Sequence, residues 1–515
     1  MNSCRYIIGL ILSISLSHIC KSQQIDSTLT KTTLKRDEIN SRYAPYFNNT
    51  KDSNSVTDFN TENTSKNITI QESWQDVLKN NQGIKAQILN TQNMEKLKLA
   101  AKLSYLPQID LNAFYIHLGS KVQIDLVQDR NEYNKILQDA QNIVGQNGNL
   151  GQAGNTIVQL LQTYGTPITI LDQDVIVGAL NILYPLYTGG MRYYGNKLAS
   201  IALKDSYQAL KLKELATFEE LVTIYYSVVL AKETLIALQN NENSALSHYK
   251  NAQKLYKLGQ IAEVELLSSQ VAYDKTKMQR RAAQNALEIA NFTLDNILQI
   301  KNSNPTSQLT INPNMQLKPL EYYIDRTLKA YPALQIAHNK ITMADYTKRL
   351  ELGRFMPKIG AFASLMTTSN NNSKMEQMMP NWYAGMQAHW TIISPQGRLQ
   401  KYQGAKIMQL QASVLETEAI QKMELLVKTT YKQIKFYQEE YKSLDSSIKL
   451  ATENLRLQEK AFAQGIVTND SVTDARNATT AIIQEQKNIA YKIIIQFAKL
   501  QSLSNDIETF FEIQK

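Results

Sequence analysis

The chain has 515 residues, of which 43% are hydrophobic and 20% charged, and its formal net charge is +9. Gly and Pro number only 19 and 11, which excludes a turn-rich all-β protein, a collagen and a flexible linker array. The positive charge is mixed with acidic residues along the whole chain rather than gathered in a patch, and this disfavours a nucleic-acid-binding protein.

Residues 1–22 have the pattern of a secretory signal peptide. Arg5 precedes a short apolar run from Tyr6 to Leu16, and small residues occupy the positions expected before a cleavage site after Ser22. The alternative is a lipoprotein in which Cys20 becomes the first residue of the mature chain. Both cysteines of the protein lie within this segment, so cleavage after Ser22 leaves a mature chain without disulfides.

Residues 23–67 are polar and contain few aliphatic side chains, as in the run from Asn48 to Ser55. A stretch of this kind cannot bury enough apolar surface to offset the chain entropy lost on folding. The sequence therefore predicts a disordered N-terminal extension over 23–67, with a helical pattern starting at about Ile68.

The rest of the chain contains an internal duplication, with a first repeat over 68–304 and a second over 305–515. Three landmarks recur in the same order: a Pro-containing motif, a Gly a few residues after a later Pro, and a Gly within a long helical tract. The paired landmarks are 105–109 and 355–359, Gly190 and Gly397, and Gly259 and Gly465.

After the first Pro of each repeat, apolar residues alternate with other residues over about ten positions, which is typical of a half-buried strand. Strands of this length fit either a membrane-spanning β-barrel or a soluble hairpin, and the pattern alone leaves both open. A further strand, Val175 to Leu183, alternates less cleanly. The alternating sets are Ile109, Leu111, Ala113 and Tyr115; Ile359, Ala361, Ala363 and Leu365; and Trp382, Ala384, Met386, Ala388 and Trp390.

After Gly190 and Gly397 the apolar spacing changes to alternating steps of three and four, which indicates long helices in a coiled coil. Gly259 and Gly465 each interrupt a long tract, so we predict that each marks a left-handed turn between an outgoing and a returning helix. The alternative is a tolerated glycine inside one helix. The spaced residues are Leu215, Phe218, Val222, Tyr225 and Val229 in the first repeat, and Ile434, Tyr437, Tyr441, Leu444, Ile448, Ala451 and Leu455 in the second.

The first repeat carries an additional stretch around residues 119–173, between its two predicted strands. It contains Gly145, Gly148, Gly151 and Gly154. Closely spaced glycines favour irregular structure, so we predict a large surface loop here.

Taken in order behind a signal peptide, the doubled elements resemble the TolC family of outer-membrane efflux proteins over about residues 68–510. The resemblance implies a mainly α fold with a small β part: a trimeric TolC-like α/β barrel with four transmembrane β-strands per chain and long periplasmic coiled-coil helices, internally duplicated. It rests on Leu106-Pro107 and Met356-Pro357, on Pro185…Gly190 and Pro395…Gly397, and on Gly259 and Gly465.

The resemblance also implies a function that is not enzymatic. Family members are exit ducts in the outer membrane of Gram-negative bacteria, with a helical tube in the periplasm. They act in tripartite efflux or type I secretion systems. The implied partners are two further copies in a homotrimer, a periplasmic adaptor protein, an inner-membrane pump reached through the adaptor, and outer-membrane lipid. No nucleic acid and no cofactor is expected.

The resemblance places adaptor docking at the periplasmic tip, and it places acidic rings just past the second turn. Asp474 falls at one ring position, with Asp470 and Glu265 as the next candidates; an exposed carboxylate without a role is the alternative for Asp474. Ser471 stands at the other ring position and Val467 where the family has an arginine, so the closing hydrogen bonds are expected to differ. The tip residues are Leu258, Gly259, Gln260, Gly465, Ile466 and Val467.

Two other classes of function are weighed against the duct. A secreted structural or adhesive coiled-coil rod without transport activity leaves the duplicated strand pairs unexplained, and it would be soluble without detergent. An exported enzyme requires a catalytic constellation, and no hydrolase, P-loop or metal-ligand motif occurs. We therefore expect no catalytic and no metal-binding residues.

Overall fold

The computed structural model describes residues 66–146, 151–309, 311, 316–369 and 380–513. The predicted signal peptide and residues 23–65 of the predicted extension lie outside the described residues. The last two residues of that predicted extension, Lys66 and Asn67, belong to a short strand that pairs with residues 303–305. The boundary predicted at 67 is therefore slightly too late, because pairing with a distant segment orders two residues whose local sequence is polar.

The described elements, numbered in chain order, alternate short strands with helices of very different lengths. They are β1 (Lys66–Ile68), α1 (Ile70–Asn80), α2 (Gln82–Leu103), β2 (Gln108–His117), β3 (Val122–Ile124), α3 (Arg130–Gln146), α4 (Gly151–Tyr164), β4 (Ile168–Leu171), β5 (Asp174–Tyr187), α5 (Met191–Lys257), α6 (Glu263–Leu298), β6 (Ser303–Pro305), α7 (Leu320–Ala330), α8 (Pro332–Gly353), β7 (Lys358–Thr368), β8 (Trp382–His389), α9 (Arg398–Ala463), α10 (Asn469–Leu503) and α11 (Ile507–Ile513).

The described residues form two compact units. The first, here called the sheet unit, contains residues 100–195 and 348–402; the second, here called the helical unit, contains the rest. Each unit draws on both repeats, so neither repeat folds as a separate domain.

The sheet unit is built on one antiparallel sheet with the strand order β2-β5-β7-β8. The predicted strand pairs are β2 with β5 and β7 with β8, and the pairing of β5 with β7 joins the two repeats. Strand β5 extends beyond the predicted Val175–Leu183 to Asp174–Tyr187.

The register of the sheet collects the alternating apolar sets on one face. Leu111 lies opposite Leu180, Leu180 opposite Leu365, and Leu365 opposite Trp382. These residues share one face of all four strands because side chains alternate across a strand with period two. Leu111, Leu365 and Trp382 are exposed in the single chain, so this face presents apolar side chains to its surroundings.

The opposite face of the sheet carries a polar row in the adjacent register. Asp110 lies opposite Asn181, Asn181 opposite Ser364, and Ser364 opposite Tyr383. The Ser364 hydroxyl donates to Asn181 Oδ1 at 2.8 Å. The sheet is thus apolar on one face and contains a continuous polar row on the other.

A pair of arginines anchors the strand-to-helix junctions in the same way in both repeats. The Arg192 guanidinium lies 4.6 Å from the Tyr105 ring centroid and donates to the carbonyl oxygens of Ser104 and Pro185. In the second repeat the Arg398 guanidinium lies 5.2 Å from the Phe355 ring centroid. It donates to the carbonyl oxygens of Arg354 at 2.9 Å and Ile392 at 3.0 Å.

The duplicated arginine contact exploits the planar guanidinium, which can stack on an aromatic ring while its N–H groups reach two carbonyls. Each arginine lies at the start of the helix that follows a strand pair. It joins that helix to the residues just before the Pro at which the same strand pair begins, Pro107 or Pro357. This contact is part of the duplication, although the landmarks of the sequence do not include it.

The stretch 119–173 is more ordered than the predicted loop. Strands β3 and β4 pair as a short ribbon, and helices α3 and α4 lie between these two strands in the chain. Tyr133 near the start of α3 donates a hydrogen bond to the Leu161 carbonyl near the end of α4, so the two helices run antiparallel. The glycines that suggested a loop lie in or between these helices, and the four residues 147–150 that join them are not among those described.

The helical unit has a large apolar core around the middle of α5. The predicted stripe Leu215, Phe218, Val222, Tyr225 and Val229 is buried, as the three-four spacing requires. Phe218 makes edge-on ring contacts with Trp74 of α1 and Phe510 of α11. By length and composition α5 is the one described helix that could cross a membrane, but its residues Phe218, Leu221 and Tyr225 belong to this core.

Helix α1 begins at a complete capping box. The Thr69 side chain accepts from the Glu72 backbone N–H at 3.2 Å, and Glu72 Oε2 accepts from the Thr69 backbone N–H at 2.9 Å. Reciprocal bonds of this kind satisfy donors that a helix start otherwise leaves unpaired, and they lower the pKa of the Glu72 carboxyl. The helix therefore starts directly after β1.

Candidate functional site

Both predicted glycine turns are present, and they have the same geometry. Gly259 has φ +65° and Gly465 has φ +72°. In the first turn the Gly259 N–H donates to the Tyr256 carbonyl and the Gln260 N–H to the Leu255 carbonyl, both at 2.9 Å. This is the Schellman arrangement, which needs a left-handed residue that glycine adopts without steric cost.

The second turn repeats the arrangement with Gly465 as the left-handed residue. Its N–H donates to the Phe462 carbonyl at 2.9 Å, and the Ile466 N–H donates to the Ala461 carbonyl at 3.0 Å. The tract therefore divides into α9 and α10 at the predicted glycine, just as α5 and α6 are divided by Gly259. The alternative of tolerated mid-helix glycines is wrong.

The tip residues are exposed and the space around the glycines is open. Leu258 and Ile466 are each 70% exposed, and a Cβ built on either Gly259 or Gly465 would meet no heavy atom within 4 Å. Val467 differs, because it packs partly buried beside Ala252 and Phe462. Each turn thus presents one exposed aliphatic side chain on uncrowded backbone: Leu258 directly before the first glycine and Ile466 directly after the second.

The two helical hairpins are joined directly below their turns by a carboxylate. Glu265, in the first turn of α6, accepts from the Asn469 backbone N–H at 3.0 Å. Asn469 is the first residue of α10, and the preceding Thr468 makes no side-chain capping bond. Glu265 therefore caps α10 from the other hairpin, where a negative charge is favoured at a helix N-terminus.

A chain of side-chain hydrogen bonds continues this contact. The Asn469 Nδ2 donates to the Ser268 hydroxyl at 2.9 Å, and that hydroxyl donates to Asp470 Oδ1 at 3.1 Å. His248 Nε2 lies 2.7 Å from Asn469 Oδ1. Because the Asn469 amide nitrogen already donates to Ser268, the Asn469 amide oxygen must be the hydrogen-bond acceptor for His248. This places the ring hydrogen on Nε2 of His248.

His248 is buried, and its ring lies 4.4 Å from the Phe462 ring, measured between centroids. Burial lowers the pKa of His248, and the nearby Arg476 lowers it further; the bond to Asn469 and the carboxylates of Glu459 and Glu265 act in the opposite direction. The neutral imidazole is therefore the form that fits this site. We call Glu265, Ser268, Asn469, Asp470 and His248 the hairpin latch.

Arg476 forms a second connection about two helical turns beyond Asn469 on α10. Its side chain is almost completely buried, with Nε 3.3 Å from the Ser244 hydroxyl and Nη2 3.2 Å from Glu459 Oε1. Burial lowers the pKa of Arg476, and Glu459 counteracts this. A buried guanidinium held by one carboxylate requires that partner, because an unpaired buried charge is strongly unfavourable.

The three candidate aperture acids fall into two groups. Glu265 and Asp470 are engaged in the hairpin latch. Asp474 lies one helical turn beyond Asp470 on α10, and it is exposed. The structure thus brings two of the three together by hydrogen bonds and leaves Asp474 with its side chain directed to the surroundings.

Several residues of this site carried no signal in the sequence. His248 had no ligand-spaced partner, and Ser268, Asn469 and Arg476 are ordinary polar residues in helical tracts. His248, Ser268 and Asn469 have their partners in the other repeat, and Arg476 contacts Ser244 of the other repeat as well as Glu459 of its own, so only the fold reveals these contacts. Within the described part of the chain, no group of three or more His, Cys, Asp and Glu side chains could hold a metal ion.

Comparisons with known proteins agree with this architecture. The family model for outer membrane efflux proteins matches residues 170–298 and 323–506. No curated protein matches the sequence.

Several solved structures share the fold at low sequence identity. The Campylobacter jejuni CmeC outer membrane channel has 16% identity and a TM-score of 0.63, with 87% of this chain and 89% of that chain covered. CusC has 13% identity and a TM-score of 0.67, covering 87% of this chain and 95% of that chain. The open state of the Neisseria gonorrhoeae MtrE outer membrane channel has 14% identity and a TM-score of 0.65, covering 85% and 89%.

Proposed function

This chain belongs to the outer membrane efflux protein family, and from that membership we propose that three copies form one export duct, engaged by an adaptor protein at the Gly259 and Gly465 turns. The protein is an outer-membrane exit duct of efflux systems, with its helical tube in the periplasm. Beyond this family function, we propose the trimer, the docking residues and the aperture acids.

The two-faced sheet is the observation that carries the proposal. The row from Leu111 to Trp382 gives the sheet an apolar face, and the row from Asp110 to Tyr383 gives it a polar one. Transmembrane barrels combine an apolar outer band with a polar interior in this way. Four strands are too few to close a barrel, and lipid cannot satisfy open strand edges. Three copies supply twelve strands and pair every edge.

The helices of the helical unit support the same assembly. The exposed residues Val264, Leu267 and Val271 follow a three-four spacing on α6, and Ile407, Leu410 and Val414 do so on α9. A stripe of this kind on a long helix favours packing against another helix. We propose that neighbouring copies cover these stripes in a shared tube.

Adaptor docking is proposed at the exposed tip. Leu258 and Ile466 offer two exposed aliphatic contacts from one chain, and three chains would offer six. The left-handed glycines keep the backbone beside them free of side chains, so a partner's helical tip can approach closely. The inner-membrane pump then reaches the duct through the adaptor.

The aperture is proposed at the N-terminal end of α10. Asp474 is an exposed acid there that lies outside the hairpin latch, and three copies around one axis would form a ring that attracts cations. The hairpin latch, with Glu265 and Asp470, would hold the two hairpins of each chain together in the closed state.

Measuring the molar mass of the detergent-extracted protein tests this proposal. We expect three copies of the chain per particle. We also expect that no protein is recovered in the soluble fraction when detergent is omitted. A monodisperse monomer would overturn the duct. A detergent-independent soluble rod would support the structural or adhesive alternative instead.

The neighbouring genes would identify the cargo class of the proposed system. An adaptor gene beside a small-molecule pump of the resistance-nodulation type indicates efflux of drugs or metals. An adaptor gene beside an ABC transporter and a large secreted protein indicates type I secretion.

A further inference from the structure

The hairpin formed by α3 and α4 has an apolar side that no described part of the chain covers. The sides on which the two helices face each other are buried or half-buried. They carry Tyr133, Leu137, Ala140 and Val144 on α3, and Gly154, Val158, Leu161 and Gly165 on and just after α4. A second set, Ile136, Ile143, Ile157, Leu160 and Tyr164, is about half exposed or more.

The second set lies on one side of the hairpin. On α3, Ile136 and Ile143 are seven residues apart, which is two helical turns, and they precede the packing residues Leu137 and Val144 by one position. On α4, Ile157 and Leu160 precede Val158 and Leu161 in the same way. An equal rotation from the packing stripe, on two antiparallel helices, places both exposed sets on the same side.

The position of the hairpin determines what can reach this apolar side. The ribbon of β3 and β4 that carries it begins five residues after His117, at the end of β2. Strand β2 is an edge strand of the sheet, and α2 enters that strand from its other end. Because β4 leads into β5, the hairpin extends the β2–β5 pair, and the β2 side of this pair is the edge along which the proposed trimer joins one copy to the next, at the outer mouth of the duct.

The charges of the insert argue against a lipid surface as the cover. Helix α4 has no charged residue, and the insert as a whole has more acidic than basic side chains. Amphipathic helices that lie on membranes are rich in Lys and Arg. An uncharged helix with three exposed apolar side chains is suited to burial against another uncharged helix.

We propose that the α3–α4 hairpins of neighbouring copies pack against each other through this apolar side and form a six-helix collar around the outer mouth. The inference rests on the proposed trimer. The collar adds a contact between copies outside the membrane, and it narrows the exit through which cargo leaves.

Cross-linking with a short bis-maleimide tests the collar in the full chain. Leu160→Cys and Ile136→Cys, introduced singly, should each give covalently linked copies. Gln162→Cys is the matched control on the opposite side of α4, and together with the parent chain it should give only background. Ile157→Gln, Leu160→Gln and Tyr164→Gln, combined in an Ile136→Cys chain, should reduce the linked product to that background.

The outcomes separate this inference from the duct itself. The molar mass in detergent is measured on every variant, so a variant that fails to assemble is recognised. A monomeric parent chain overturns the duct and the collar together. A trimer without links at Leu160→Cys and Ile136→Cys overturns the collar alone. So does quenching of a fluorophore at Leu160→Cys by lipid-attached quenchers, because the cover would then be the membrane.

Discussion

Glu265 accepts a hydrogen bond from the backbone N–H of Asn469 across 3.0 Å, although the two residues lie in different repeats. The first residue of α10 is thus capped by the first turn of α6. This single contact couples the two helical hairpins at their tips, so the strength of the coupling can be altered at one side chain.

Replacing Glu265 by Ala should loosen the start of α10. The Asn469 N–H loses its acceptor, which costs about 1 kcal/mol for a capping bond, and amide hydrogen exchange should speed up over residues 469–472. Glu265→Gln retains an acceptor oxygen and is the matched control. Unchanged exchange in the Ala variant would mean that solvent or another group caps the helix.

The hairpin latch should weaken as the pH falls. The folded pKa of His248 lies below the ordinary value, chiefly because of burial, so the unfolded chain binds the proton more readily than the folded one. The stabilisation of the folded chain by neutral His248 is therefore complete above the ordinary His pKa, about 6.5. It is lost as the pH falls below that value toward the pKa of His248 in the folded chain.

This pH dependence can be measured as the free energy of local opening at residues 469–472, from hydrogen exchange corrected for intrinsic rates at each pH. It should decrease between about pH 7 and pH 5. His248→Phe preserves ring packing against Phe462 and should abolish the dependence. A slope that persists in His248→Phe would assign the titration to a different group.

Substitutions at the two turn glycines should distinguish the effect of backbone strain from the effect of blocked docking. Any other residue at φ near +65° costs about 1 kcal/mol, and this cost is similar for Ala and Trp because the space around Gly259 and Gly465 is open. The double Trp variant should reduce export strongly while trimer and membrane insertion persist. The double Ala variant should retain most export. Equal export from both would contradict docking at these turns.

The turns show how far the sequence alone reaches. The turns at Gly259 and Gly465 could be predicted because a left-handed turn is a local requirement for glycine. The alternating strands could be predicted because successive side chains of a strand point to opposite faces of the sheet. The apolar stripe through Phe218 and Tyr225 could be predicted for the same reason. Each of these features depends on residues that are close in the chain.

The hairpin latch and the insert could not be predicted in the same way. Glu265 and Asn469 are brought together by the fold, and neither has a distinctive neighbour. The insert was predicted as a loop because its glycines dominate the local pattern, yet the stripes ending in Val144 and Leu161 hold two helices together. The Tyr133 hydroxyl donates to the Leu161 carbonyl, 28 residues away in the chain, and this contact between the helices is not evident from the local sequence.

Asp474 should influence ion flow if it lines the aperture. Three carboxylates around a narrow opening favour cations, so Asp474→Asn should lower the cation selectivity and the block by polyvalent cations in planar bilayers. Glu439→Gln, an exposed acid on α9, is the control and should change neither. If Asp474→Asn also changes neither, the acids of the hairpin latch, Asp470 and Glu265, are the next candidates.

The most direct measurement is a disulfide between the two edges of the sheet. Within one chain β2 and β8 are separated by β5 and β7, which is roughly 14 Å at the usual strand spacing and too far for a disulfide. A cysteine at Leu111, paired in turn with each position from 384 to 388 of β8, can therefore be linked only between copies. We expect at least one pairing to give covalent trimers on a non-reducing gel. Linked dimers as the end product, or no linked species at any pairing in membrane-inserted protein, would contradict a twelve-stranded duct.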